Sequence, residues 1–312
     1  MMVLSRQGSL RMFFAIRGSV LPRIAWNLLL CTSLAVVVTL VHGSIFNWQV
    51  TLTAVPFSLM GLALAIFLGF RNSAAYDRYW EGRKLWGNLL HRSRTLARQL
   101  QTLTRLPSAA RHDDATDPRT RILRHAIAFA HTLRHQLRGS DPGPDLAIWL
   151  TPGERERDGA HGTTTQALLT RMGDDLGALL HAGQIDPQVA VAIDETLSGL
   201  CADAAGCERI RNTPVPFAYT LLLHRTAYLY CFLLPFGLVQ TVGVMTPLVV
   251  AIVAYTFFGL DALGSEIEEP FGTEPNHLAL DAICRTIEIQ LLTALGATDL
   301  PRPLAPVDGC LL

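Results

Sequence analysis

The sequence predicts an all-α membrane protein with four transmembrane helices in two hairpins and a helical cytosolic region. Three observations carry this fold class. Two long stretches are almost free of charge, the region between them holds most of the charge with leucines at helical spacing, and no run alternates convincingly as a strand. Charged residues make up 17% of the 312 residues and apolar ones 50%, against about 25% charged in an average soluble domain. An ordinary soluble enzyme and a disordered chain are thereby excluded. With 26 basic and 26 acidic residues, there is no basic excess of the kind a nucleic-acid partner requires.

Residues 1–23 form a basic N-terminal segment carrying Arg6, Arg11, Arg17 and Arg23. The apolar stretch after them is too long for a signal-peptide core, lacks an Ala-x-Ala site and leads into a second apolar span, so it reads as a retained helix. No Asp, Glu, Lys or Arg lies between Arg23 and Arg71. A helix needs about 20 residues to cross the roughly 30 Å hydrocarbon core. The first hairpin, 24–70, therefore fits two spans near 24–42 and 51–70 with a break at Gly43–Gln49. Trp26 and Trp48 fall near span ends, where indoles favour the interface, and Pro56 falls inside the second span. The first acidic residue is Asp77, so every earlier charge is positive and flanks the outer ends of the hairpin. By the positive-inside rule both ends face the cytoplasm.

The second hairpin, 212–261, holds spans at 217–239 and 244–260, with Gly237, Gly243 and Pro247 around the turn. Arg225 is placed near a helix end, where its side chain can snorkel. The cytosolic region, 71–211, begins as a continuation of the second span. Tyr79, Leu85, Trp86, Leu89, Leu90, Leu96 and Leu100 fit one helical stripe, which predicts a helix leaving the membrane and running to about Arg105. Further helices are expected near 119–138, 163–183 and 187–206. The C-terminal segment, 262–312, adds an amphipathic helix near 276–295 and a Pro-rich tail.

The six cysteines are scattered and read as free thiols packed as small hydrophobes. Enzyme signatures are absent apart from Asp113-Asp114-Ala-Thr-Asp117, which matches the magnesium–diphosphate box of prenyl-transferring enzymes. Pro118 and polar neighbours make it a solvated loop, and no second box exists. His131 and His135 stand four apart but lack a third ligand, so they read as an exposed helical pair and no metal site is expected. The chain is accordingly read as a non-enzyme. A prenyl-transfer enzyme using Asp113, Asp114 and Asp117, or a secondary transporter, are the alternatives. The transporter is disfavoured because the hairpins lack midplane charge.

On the second span Leu62, Ile66 and Phe70 recur every four residues, with Gly61, Ala65 and Gly69 one residue earlier permitting close helix approach. Spacing alone gives only a stripe facing lipid or a neighbouring helix. Ringed around an axis, the same stripe would form a hydrophobic constriction that gates by dewetting.

Two blocks are far more specific. Phe67-Leu-Gly-Phe-Arg-Asn-Ser-Ala-Ala-Tyr-Asp-Arg-Tyr-Trp-Glu-Gly-Arg-Lys-Leu-Trp-Gly87 and Glu266-Ile-Glu-Glu-Pro-Phe-Gly-Thr-Glu-Pro-Asn-His-Leu-Ala-Leu-Asp281 resemble segments of the bestrophin family, bacterial branch. The resemblance implies a homopentameric ion channel in the bacterial inner membrane, passing small monovalent ions through one central pore among membrane lipids. It maps the apolar neck onto Leu62, Ile66 and Phe70, and a lower cytosolic constriction onto Leu180, where an ordinary core leucine is an equal reading. Arg71 and Arg78 would favour anions if they face the pore. Animal members conduct chloride and bacterial ones are associated with cations, so the sign stays open. Animal members bind calcium through consecutive acidic residues after Pro-Phe-Gly. Here Glu274, Asn276 and Asp281 are too dispersed and Glu266, Glu268 and Glu269 precede the motif, so no cofactor and no calcium requirement are expected.

Overall fold

Charge-poor sequence forms helices here because a backbone denied water must satisfy its own polar groups. The computed structural model describes residues 1–2, 15–16, 18–41, 44–45, 48–49, 54–106, 110–158 and 162–311. Arg6, Arg11, Arg17 and Gly43 lie outside the described residues, as does the side chain of Trp48. The chain divides into two compact units, one of 4–79 with 214–270 and one of 1–3, 80–213 and 271–312. These boundaries differ from 70/71, 211/212 and 261/262, because compactness follows packing whereas the sequence boundaries follow charge.

The first unit is built from α1 (Leu21–Leu40), the start of α2 (Ala54–Thr102), α8 (Phe217–Val242) and α9 (Thr246–Glu268). Among the described residues three helical stretches, Leu21–Leu40, Val55–Thr102 and Phe217–Glu268, are long and apolar enough to cross a membrane. The third is divided by a short 3-10 turn, Gly243–Met245, where Gly243 adopts φ +59°. A left-handed backbone suits glycine, and Pro247 then opens α9 in its first turn. α1 packs on α8 and α9, and α8 on α9. Their shared core includes Ile24, Cys31, Leu64, Leu223, Cys231 and Phe258.

Several expectations shift by a turn or change in kind. Pro56 stands in the first turn of α2, while Pro235 lies inside α8. Gly237 is a contact and not part of the turn: a Cβ there would fall 2.5 Å from the Phe57 ring. Between α1 and α2, Ser44–Ile45 (β1) and Trp48–Gln49 (β2) pair antiparallel, a two-residue hairpin too short to show as alternation. Arg225, the ninth residue of α8, is exposed.

In the second unit the continuation of α2 buries Trp86, Leu89, Leu96 and Leu100, as the stripe predicted. The central helix is α3 (Pro118–Arg138), flanked by α4 (Gly143–Trp149), α6 (Thr165–His181), α7 (Pro187–Asn212) and α10 (Leu280–Ala294). Asp117 caps α3 by accepting from the Arg119 backbone N–H at 2.8 Å, and Gly139 ends it at φ +67°. α7 runs six residues past its expected end at Gly206 because that glycine is a close-approach site against Leu85 rather than a stop. α10 starts at Leu280 and not near 276: His277 Nδ1 accepts from the Glu274 N–H at 3.1 Å, which folds that segment as a turn. α5 (Pro152–Arg157) was not anticipated, although Thr151-Pro-Gly-Glu154 is a legible capping box.

Candidate functional site

A helix packed on one side must bury one stripe and leave another open. In α2 the buried stripe is Phe57, Leu64, Leu68, Arg71 and Ala75. Leu62, Ile66 and Phe70 lie on the open side, 61%, 49% and 64% exposed. They therefore share one face of a single continuous helix, available to something outside this chain. The face is broader than three residues, since Leu59, Met60 and Phe67 are exposed as well. Of the three small residues beside the stripe only Gly61 permits close approach: a Cβ there would fall 2.6 Å from the Tyr230 hydroxyl. Ala65 and Gly69 are exposed, and a Cβ at Gly69 would meet nothing among the described residues.

Arg71 corrects an expectation. It is only 1% exposed, and its guanidinium is neutralised within the unit. One nitrogen pairs with Asp261 Oδ1 at 2.7 Å, and the other donates to Ser265 Oγ at 2.7 Å with Glu268 Oε2 at 3.6 Å. The side chain points to the packed face, opposite Phe70, so it offers no free charge to the open face. Arg78 is half-buried and donates from Nε to the Glu268 carbonyl at 3.1 Å. Asp261 also receives His224 Nδ1 at 2.7 Å on its second oxygen. Sequence reading missed this node because its members come from three distant helices. The available signal was acidic Asp261 directly ending an apolar run.

Leu180 is half-buried in the last turn of α6, off the buried stripe of Leu168, Met172, Leu176 and Leu179. The aspartate box is a loop, as its residues suggested. Asp113 pairs with Arg111 at 3.2 Å, Asp114 accepts from the Thr116 N–H at 2.9 Å, and Asp117 caps α3. The Arg111 hydrogen bond lowers the Asp113 pKa and the Thr116 hydroxyl lowers that of Asp114, so both stay ionised as local turn partners.

His131 and His135 are not an exposed pair. α3 is covered on nearly every side, so His131 is 6% exposed and stands 3.6 Å from Asp145 and 3.8 Å from Glu288. His135 meets Asp145 at 2.8 Å. Asp145 lies below the usual carboxylate range: burial pushes its pKa up, but His135 and Arg134 together outweigh it. Among the described residues no group of three or more His, Cys, Asp or Glu side chains could hold a metal. Asp281, of the dispersed acidic set, is gripped by Arg134 at 2.9 Å and Arg138 at 2.8 Å, and Arg138 also donates to the Phe271 carbonyl.

Comparison with known proteins places this geometry. Residues 1–293 match the family model described as bacterial/fungal bestrophin protein. The chain belongs to the bestrophin family. A solved structure of a bacterial bestrophin homologue from Klebsiella pneumoniae superposes with a TM-score of 0.82 at 42% identity, covering 88% of this chain and 100% of that one. A voltage-dependent anion channel-forming protein of Mesorhizobium japonicum is 44% identical over 309 residues, 99% of this chain and 96% of the relative. The voltage-dependent anion channel-forming protein YneE of Escherichia coli K12 is 42% identical over 306 residues, 98% of each chain. The bestrophin resemblance read from the two sequence blocks thus extends over the chain.

Proposed function

We propose that this bestrophin is a homopentameric ion channel of the bacterial inner membrane, with both termini cytoplasmic and lipid around it. It conducts small monovalent ions passively through a neck lined by Leu62, Ile66 and Phe70. One observation carries the reading: α2 spends its polar and bulky contacts on one face and leaves this apolar stripe exposed on the other. Five copies around an axis turn the stripe into three stacked apolar rings. Such rings offer no substitute for an ion's hydration shell, so conduction requires the neck to widen and stay wet. Membership of the family and the relatives named as anion channel-forming proteins support a channel.

Ion sign rests on other groups than Arg71, whose charge is already balanced by carboxylates. The relatives' names favour anions. Leu180 is proposed as a second, cytosolic constriction on the strength of family resemblance and its half-open position. Calcium has no role in the proposal, because the Asp281 carboxylate is taken by two arginines.

The test is current through the purified channel in planar bilayers. Replacing Leu62, Ile66 and Phe70 together by Ala raises the conductance; an unchanged conductance removes the neck assignment. Reversal potential in asymmetric salt gives the ion's sign, and a shift toward the chloride potential is expected.

A further inference from the structure

The neck ends at a charged anchor. Phe70 is the last residue of the exposed stripe, and the next residue, Arg71, points into the protein. Its guanidinium is fully enclosed, with Asp261 Oδ1 and Ser265 Oγ each at 2.7 Å, the Asp261 carbonyl at 3.3 Å and Glu268 at 3.6 Å. A buried cation cannot leave its carboxylates without an uncompensated desolvation cost. Any outward movement of Phe70 along a stiff helix must therefore drag Arg71 and the α9 carboxylates with it, or break their pairing.

Asp261 has a second partner of a different kind. Its Oδ2 meets His224 Nδ1 at 2.7 Å, and the His224 side chain is 49% exposed on its other side. The Tyr228 ring packs against His224 at 4.3 Å between centroids, and the next residue on the helix is the exposed Arg225. Facing it from α9 is Asp261, with Arg71 of α2 and Glu268 behind that carboxylate. The Nδ1–H of neutral His224 donates to Asp261, leaving Nε2 as the nitrogen that would carry a second proton. With His224 neutral, Arg71 is the cation paired with Asp261; with it protonated, the Asp261 carboxylate stands between two cations.

We propose that Asp261 is a positioning residue for the neck, tying the Phe70 end of α2 to α9, and that His224 makes the tie proton-sensitive. The inference rests on the neck reading. Protonation of His224 strengthens the α8–Asp261–α2 linkage and holds the neck helix in place. Because opening requires that helix to move, acidification lowers open probability without altering the current through an open channel. Histidine is the side chain whose charge changes in this pH range.

The experiment compares wild type with H224Q and D261N in planar bilayers at about pH 5.5 and about pH 8. Wild type should show roughly fivefold or greater loss of open probability at the lower pH, a typical coupling between sites. H224Q keeps an amide that can still donate to Asp261 and should be flat with pH. D261N should also be flat although His224 is present, and elution volume reports whether each variant still assembles. A pH-independent wild type overturns the inference, as does a pH response that survives in H224Q. The Leu62, Ile66 and Phe70 triple alanine variant separates the two readings. If its conductance is unchanged the neck assignment fails; if its conductance rises while H224Q keeps the wild-type pH profile, only the tether fails.

Discussion

Cys31 shows what a single side chain contributes inside an apolar core. Pro235 has no N–H, so the Cys231 carbonyl, four residues earlier in α8, loses its helical donor. The Cys31 thiol of α1 donates to that carbonyl at 3.2 Å. The thiol is fully buried and packs as a small hydrophobe, as expected, but it also repairs a backbone defect. Cys31→Ala should lower stability by about 1 kcal/mol, the usual cost of a buried polar group left unpaired, and Cys31→Ser should recover part of it. Thermal unfolding in detergent measures both. Gly264 belongs to the same scale: a Cβ there would fall 2.2 Å from Asn72 Oδ1, so glycine is what lets α2 lie against α9 beside Arg71.

Among the elements, α2 carries two functions because of its length. At 1.5 Å per residue its 49 residues span roughly 70 Å, more than twice the hydrocarbon thickness, so one end must lie outside the membrane. The small α5 acts by capping. Glu154 closes the Thr151 capping box and also meets His125 of α3 at 2.7 Å. Burial lowers the His125 pKa and holds the ring neutral. Burial would raise Glu154, but its hydrogen bonds to Thr151 and His125 bring it down to about 2. Both folded-state values lie below the unfolded ones, so both contributions are present at neutral pH and disappear on acidification. Melting temperature should begin to fall below pH 6.5, the unfolded histidine value, and fall further between 4.5 and 2 as Glu154 is protonated. Glu154→Gln should be less stable at neutral pH and flatter over the lower window.

At the level of the whole molecule, the exposed apolar face of α2 is stable only if other copies or lipid cover it. On the proposed homopentamer, light scattering of the detergent-solubilised protein should give a protein mass near five times 34.2 kDa. A monomeric mass with intact helical structure would remove the pore. The second unit sets a different balance. Its central helix α3 is covered by four neighbours and pairs its buried Arg134 with carboxylates from α4 and α10, and its buried His125 with Glu154 of α5.

The apolar helices were legible in the sequence because charge density and length are one-dimensional properties, set by the bilayer's thickness and its cost for charge. The long helix through Trp86, Leu89, Leu96 and Leu100 was legible through its period, and the family through its two motif blocks. The direction of each polar side chain was not legible. His131 looked like half of an exposed pair until α4 and α10 enclosed it, and Gly237 looked like part of a turn until Phe57 was placed against it. Arg71 looked like a pore charge for the same reason. Its sequence neighbours put it beside Phe70, but one step along a helix turns a side chain by about 100°. Sequence alone determined which segments avoid water. Tertiary structure decided that Arg71 is buried against Asp261 and Glu268, because those carboxylates lie some 190 residues away and only packing brings them within reach.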